Sequence, residues 1–311
     1  MKRKVFNAEF ARKYGILLVL IAMWAILAVV SPTFRTVDNA VNILRQVTVN
    51  GILSIGMTFV IMTGGIDLTV GSLVAVSGVV SGSILVAHPA QVVPAVLAGI
   101  VVCGLFGALN GFFVAFIGVP AFIATLAGMT IARGFAYVYS DGKPYTLDSP
   151  NFRLIGKGMA PIVIFLVILA ISHIVLSKLK FGRYIYATGG NIKAAEASGI
   201  NVHRVLMQVY ILGGVLSGIA GIVLASRTNS GQPAVGTGFE TDAIAAAVIG
   251  GTSMTGGIGT IPGTLVGILI IGTLNNGLNL LNVSSYYQQI IKGIIILGAV
   301  CFDLMSKKGS R

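Results

Sequence analysis

The chain has 311 residues, of which 55% are hydrophobic and only 10% are charged. A soluble globular domain is excluded, because such domains carry about 25% charged residues. The mean hydropathy is +0.93, and the 41 glycines suit membrane helices, because glycine lets helix backbones approach closely in lipid. We therefore predict an all-α polytopic membrane protein.

The net charge of +12 does not indicate nucleic-acid binding, because the basic residues sit at the ends of apolar runs and not on one soluble face. Such clusters mark the cytoplasmic side of a membrane protein. This predicts a membrane protein with both termini in the cytoplasm. The clusters are Lys2, Arg3, Lys4, Arg12 and Lys13; Lys178, Lys180, Arg183, Lys193 and Arg204; and Lys307, Lys308 and Arg311.

The apolar runs divide into about ten transmembrane helices, since a span needs about 20 apolar residues. They form one transmembrane domain over 1–311, and the first run is read as a retained span because no small-x-small cleavage site follows it. The loop 178–204 is placed on the cytoplasmic side. The predicted spans are 14–34, 46–63, 69–87, 91–117, 121–140, 158–177, 205–226, 243–259, 262–281 and 288–305.

Glycines four residues apart, such as Gly107 and Gly111 or Gly214 and Gly218, predict close helix packing. A longer pattern also recurs: MTGGIDLTVGSLV at 62–74 and MTGGIGTIPGTLV at 254–266 share eight of thirteen positions at an offset of 192. Chance similarity in a glycine-rich chain is one explanation. The other is an internal repeat in which each half carries an interrupted helix, an arrangement that transporters use near their substrate.

Gly64, Gly65 and Asp67 are candidate pathway residues, because a broken helix lets polar groups face a cavity. Asp67 lies within an apolar region, where a charge is costly. It either caps the helix that follows by binding free backbone N–H groups or lies beside a solute pathway. The sequence leaves both alternatives open.

The segment 272–289 carries several amides, of which Asn275, Asn276 and Asn279 are further pathway candidates. Each amide offers a donor and an acceptor, which suits an uncharged polyhydroxylated solute. Alternatively, these amides join helices to one another. Arg133 and Lys292 are expected to be paired or to reach an interface.

Enzymatic motifs are missing from the sequence. Neither GK dipeptide, at 142 and at 156, is followed by Ser or Thr, so the phosphate-binding loop pattern does not occur. His88, His173 and His203 are isolated, and no metal-ligand spacing is found. We predict no catalytic residue, no metal site and no cofactor in this chain.

The loop 178–204 contains a predicted short helix over 193–198. Asn191 suits its N-cap and Gly199 suits the position after its end. The alanine-rich face of this helix, which includes Ala195, is expected to fit into a groove of another protein. A plain connecting loop is the alternative.

Several ordered blocks resemble the ribose-type permease subunits of bacterial ATP-binding-cassette (ABC) sugar importers. The likeness runs from about Ser31 to Lys292. The blocks are GMTFVIMTGGIDLTVGS at 56–72, PAFIATLAGM at 120–129, GRYIYATGGNIKAAEASGINV at 182–202, DAIAAAVIGGTS at 242–253, GTLNNGLNLL at 272–281 and SSYYQ at 284–288.

The resemblance implies a permease of the bacterial inner membrane that moves ribose or a related monosaccharide by alternating access. It implies a homodimer, a cytoplasmic ABC ATPase that binds ATP and Mg, and a periplasmic or lipid-anchored sugar-binding protein. An ion-coupled secondary transporter or channel for a small polar solute is the alternative. The coupling loop to the ATPase would be 183–199, with Arg183, Gly190, Asn191, Ala195, Glu196 and Gly199.

Overall fold

The computed structural model describes the backbone of residues 2–308 and the side chains of residues 15–298, 300 and 301. The N-terminal and C-terminal basic clusters, Lys2, Arg3, Lys4, Arg12 and Lys13 with Lys307, Lys308 and Arg311, lie outside the described side chains. The described residues are mainly helical, as predicted. The helices are α1 Lys2–Val30, α2 Val37–Met62, α3 Val70–Ala87, α4 Val92–Phe112, α5 Ala121–Tyr139, α6 Pro150–Gly156, α7 Ala160–Lys178, α8 Lys180–Gly190, α9 Ile192–Ala197, α10 Val202–Thr228, α11 Phe239–Ile249, α12 Ile261–Leu280 and α13 Ser285–Lys308.

Two shorter helical segments and two short strands complete the described fold. A 3₁₀ helix covers Pro32–Arg35, and a π-helical turn over Phe113–Ile117 prolongs α4. Strand β1, Tyr145–Thr146, pairs antiparallel with strand β2, Ser230–Gly231. We call the end of the molecule with these strands the strand end, and the end with α8 and α9 the α8–α9 end.

Seven helices of the described residues are long and apolar enough to cross a membrane: α2, α3, α4 with its π-helical turn, α5, α7, α10 and α12. Helix α2 begins at Val37, nine residues before the predicted span 46–63, because the Thr36 side chain caps it by accepting from the Asn39 amide. The predicted span 243–259 is not one helix. Helix α11 has 11 residues and ends at Ile249, and a turn-rich segment occupies 250–260.

Helices α2, α3 and α10 form the centre of the molecule. Their apolar stretches are 78% buried, whereas those of α4, α5 and α7 are 17–28% buried. The outer helices therefore present apolar surface of the kind that suits lipid. Glycine brings α4 and α10 together: a Cβ at Gly214 would meet the Cys103 carbonyl and the Cα of Gly107. This confirms the predicted packing role of these glycines.

Candidate functional site

Residues between α7 and α10 form two consecutive short helices. Helix α9 lies within one residue of the predicted 193–198, and the Asn191 side chain caps it by accepting from the Ala194 amide at 3.0 Å. Gly199 follows the helix with φ of +81°, a left-handed conformation that glycine adopts without strain. Both predicted caps are confirmed. Helix α8, which ends at Gly190, was not predicted.

The residues on the exposed side of α9 are not the ones that were predicted. Ala195 is only 2% exposed and faces its own chain, so the expectation that it enters a partner's groove is wrong. The opposite side exposes Ile192, Lys193 and Glu196, and Gly190 is exposed beside them. Helix α8 adds exposed Arg183 and Tyr184. We call Arg183, Tyr184, Ile192, Lys193 and Glu196 the α8–α9 surface.

The buried side of α8 rests on the ends of two other segments. The backbone of Gly189 packs directly on the Met62 carbonyl and the Gly257 amide, which leaves no space for a side chain. The Tyr186 hydroxyl donates to the Gly259 carbonyl at 2.7 Å. Burial raises the pKa of the Tyr186 phenol, so this donor keeps its proton at neutral pH. Helix α8 therefore contacts both copies of the repeated MTGGI motif.

The two copies of the motif also contact each other. The Gly257 amide donates to the Met62 carbonyl at 2.9 Å. Gly64 and Gly256, which are equivalent at the offset of 192, both have φ of +82°. A long helix follows each copy, α3 from Val70 and α12 from Ile261. The sequence repeat therefore corresponds to a structural repeat, and both copies contact Gly189 at the α8–α9 end.

Asp67 is fully buried beside the first interruption. Its Oδ1 accepts from the Thr69 amide at 2.9 Å and the Thr69 hydroxyl at 2.5 Å. The Asn110 side chain donates in turn to the Thr69 hydroxyl at 3.2 Å. The N-cap of α3 is Thr69 and makes no side-chain capping bond, so the predicted N-cap role of Asp67 is wrong. The second carboxylate oxygen of Asp67, Oδ2, has no hydrogen-bond partner among the described residues. A place for Asp67 beside a solute pathway stays a prediction.

The candidate asparagines lie near the strand end of α12. Asn276 is 3% exposed and exchanges two amide hydrogen bonds with Asn39 of α2, at 3.1 and 2.9 Å. Asn279 accepts from Gln288 at 2.8 Å. These contacts favour the alternative in which the amides join helices. Asn275 lines a cavity of about 20 Å³, which is large enough for one water molecule.

The structure does not bring the two sets of pathway candidates together. Gly64, Gly65 and Asp67 follow the end of α2, whereas Asn276 contacts Asn39 near its beginning. Helix α2 has 26 residues, a length of about 39 Å at the helical rise. The two sets therefore lie far apart along α2 and do not form one site.

Arg133 and Lys292 are both paired, as expected. The Arg133 guanidinium donates through Nη1 to the carbonyls of Pro233 and Val235, at 2.8 and 2.6 Å. The Lys292 ammonium lies 3.0 Å from Asp242 Oδ2. Sequence reasoning missed Asp242 as the partner, because 50 residues separate it from Lys292 and α11 was expected to be a full span.

Comparison with known proteins places the chain among transport permeases. Residues 39–300 match the family described as branched-chain amino acid transport system / permease component. The ribose import permease protein RbsC of Escherichia coli is 45% identical over 97% of this chain and 96% of its own length. The corresponding protein of Bacillus subtilis is 46% identical over 94% and 92%.

The D-allose transport system permease protein AlsC of Escherichia coli is 39% identical over 99% of this chain and 96% of its own length. No solved structure matches the chain. The family match covers most of the chain, and the fold contains several helices that can cross a membrane. The chain therefore belongs to the family of transport-system permease components.

Proposed function

We propose that this chain is the membrane-spanning subunit of an ABC importer for ribose or a closely related monosaccharide. The observation that carries the proposal is identity of 44–46% to ribose import permease proteins over nearly the whole chain. The resemblance of the coupling segment 183–199 supports the same conclusion. The chain is the translocation subunit, and a separate ATPase hydrolyses the ATP.

The proposal includes three partners. A cytoplasmic ABC ATPase, which binds ATP and Mg, docks on the α8–α9 surface. A periplasmic or lipid-anchored sugar-binding protein docks at the strand end, and a second copy of the chain completes a homodimer. In this orientation both termini are cytoplasmic. The exposed basic residues Lys178, Lys180, Arg183, Lys193 and Arg204 support it, because cytoplasmic loops of membrane proteins are enriched in Lys and Arg.

The contacts of α8 suggest how the ATPase acts on the spans. A movement of the α8–α9 surface displaces Gly189 and Tyr186 together, since both lie on α8. Their contacts lead to Met62, Gly257 and Gly259. Met62 is the last residue of α2 before the interruption that leads to α3, and Gly257 and Gly259 lie within the interruption before α12. The movement therefore reaches both halves of the repeat at once, as alternating access requires.

Ile192→Asp tests the docking surface. Ile192 is 47% exposed in this chain, and the bound ATPase would bury it. Replacing an aliphatic side chain that is buried at an interface by a charged one weakens binding by at least about tenfold. We expect the variant to be folded but to lose co-purification with the ATPase. Leu154→Asp is the matched control, because Leu154 is 60% exposed on α6 at the strand end. Equal ATPase binding by both variants would contradict the assignment.

The proposed function is tested by the ATP hydrolysis of the assembled complex. The chain is reconstituted in nanodiscs with its candidate ATPase and sugar-binding protein. We expect ribose-loaded binding protein to stimulate hydrolysis, whereas the binding protein without sugar stimulates it less. Hydrolysis that is indifferent to ribose and to a panel of other monosaccharides would overturn the sugar-importer proposal.

A further inference from the structure

The first turn of α11 lies level with the middle of α2, a helix that is long enough to cross the membrane. Asn50 is the fourteenth of the 26 residues of α2, and its side chain donates to Asp242 Oδ2 at 3.1 Å. Asp242 belongs to the first turn of α11. Helix α11 has 11 residues, so it extends about 16 Å from this depth to the α8–α9 end, about half of the hydrocarbon thickness of about 30 Å.

The segment before α11 must therefore descend from the strand end to mid-membrane without a helix. Strand β2 at Ser230–Gly231 pairs with β1, and residues 233–238 form turns. This segment runs along α3: Gly231 packs on the Gly78 backbone, and Gly236 packs on the Gly71 backbone. It is a non-helical stretch at membrane depth.

Non-helical backbone at this depth is tolerated only inside protein or against water, because lipid cannot satisfy its polar groups. Arg133 provides hydrogen bonds for two backbone carbonyls of this segment, those of Pro233 and Val235. Arg133 therefore has a specific structural reason to occur in a span. A guanidinium has five donor hydrogens, so it can also bind a solute.

The outward side of the segment is polar and uncovered in the protomer. Gln232, Thr237 and Thr241 are exposed, together with Ala234. In the outer helices, by contrast, the exposed residues at comparable depth are apolar, as Val101 and Leu105 of α4 show at 56% and 60%. Neutral hydroxyl and amide groups on a non-helical backbone are unsuited to lipid. They suit a water-filled passage for a neutral polyhydroxylated solute.

We propose that the segment 232–241, braced by Arg133, lines the translocation passage at mid-membrane. Gln232, Thr237 and Thr241 contact the hydroxyl groups of the sugar as it passes. The choice of a sugar as the solute rests on the proposed function, whereas the water-filled lining follows from the depth and polarity of the segment. The passage is thereby assigned to a region that the sequence analysis did not select.

Cysteine labelling tests this proposal. Thr237→Cys and Thr241→Cys are placed in a Cys301→Ser background, since Cys301 is exposed and Cys103 is buried. Val101→Cys is the matched control, exposed near the middle of α4. A charged, membrane-impermeant thiol reagent reacts with thiolates, which require contact with water. In proteoliposomes of the assembled transporter we expect Thr237→Cys and Thr241→Cys to react at least about tenfold faster than the control.

We also expect the adduct at Thr241→Cys to block ATP-driven ribose uptake and bound sugar to slow the labelling. Labelling as slow as in Val101→Cys would overturn the proposal, because the segment would then face lipid or protein. Full labelling with unchanged uptake would overturn its role in the passage. If the unlabelled transporter takes up no ribose, the proposed function fails, while fast labelling still supports a water-filled lining.

Discussion

Gly189→Ala is expected to lower ATP-driven sugar uptake by at least about fivefold, whereas Gly190→Ala leaves it close to the unmodified level. A Cβ at Gly189 would overlap the Met62 carbonyl and the Gly257 amide, while a Cβ at Gly190 has no neighbouring atom within 4 Å. Backbone atoms cannot move aside as a flexible side chain can. Overpacking of this kind costs about 1–3 kcal/mol, which corresponds to about fivefold to 150-fold in an equilibrium constant.

The two glycines are adjacent and have the same helix propensity, so their comparison isolates the contact of α8 with the interrupted helices. The measurement is initial uptake by reconstituted transporter, with ATPase co-purification recorded for each variant. We expect Gly189→Ala to retain the ATPase, because Ile192 and Glu196 remain exposed, but to transmit its movement poorly. Equal uptake by both variants would contradict transmission through Gly189.

The second large effect concerns the ion pair between α11 and α13. Lys292→Met is expected to destabilise the protein by about 3–5 kcal/mol, because it leaves a buried carboxylate without its partner charge. The side chains of Asp242 and Lys292 are 6% and 24% exposed. The double variant Asp242→Asn with Lys292→Met is expected to recover most of the loss, since the Asn50 amide can still bind the new side chain.

Lys143→Met is the control for this experiment. Lys143 and Asp141 also lie 3.0 Å apart, but their side chains are 79% and 89% exposed, and an exposed pair contributes about 0–1 kcal/mol. The measurement is the free energy of unfolding in bicelles under titration with denaturing detergent. Similar losses of unfolding free energy for Lys292→Met and Lys143→Met would show that the ion pair of Asp242 with Lys292 is not a buried contact.

The sequence predicts the helical membrane fold, because long uncharged runs leave few alternatives to helices in lipid. It also predicts the caps of α9, since the side chain of Asn191 and the left-handed turn at Gly199 depend on local chemistry. The repeat was visible because the same turn recurs: Gly64 and Gly256 have the same φ. Each of these features depends on neighbouring residues in the chain.

Features that depend on distant contacts were not predictable in the same way. Ala195 looked like part of a docking face, but the packing of α9 on the rest of the chain buries it. The run that continues from α11 has the length and hydropathy of a span, yet Gly250 and Gly251 end the helix. The sequence of α12 contains the same asparagines whether they line a passage or bind Asn39. Only the fold distinguishes these alternatives.

Uptake of labelled ribose tests the central claim most directly. Proteoliposomes contain this chain with its candidate ATPase and sugar-binding protein, and uptake is measured with and without ATP and with an ionophore. We predict uptake that requires ATP and is insensitive to the ionophore. Uptake that needs no ATP and is abolished by the ionophore would contradict the ABC-importer proposal and indicate an ion-coupled secondary transporter instead.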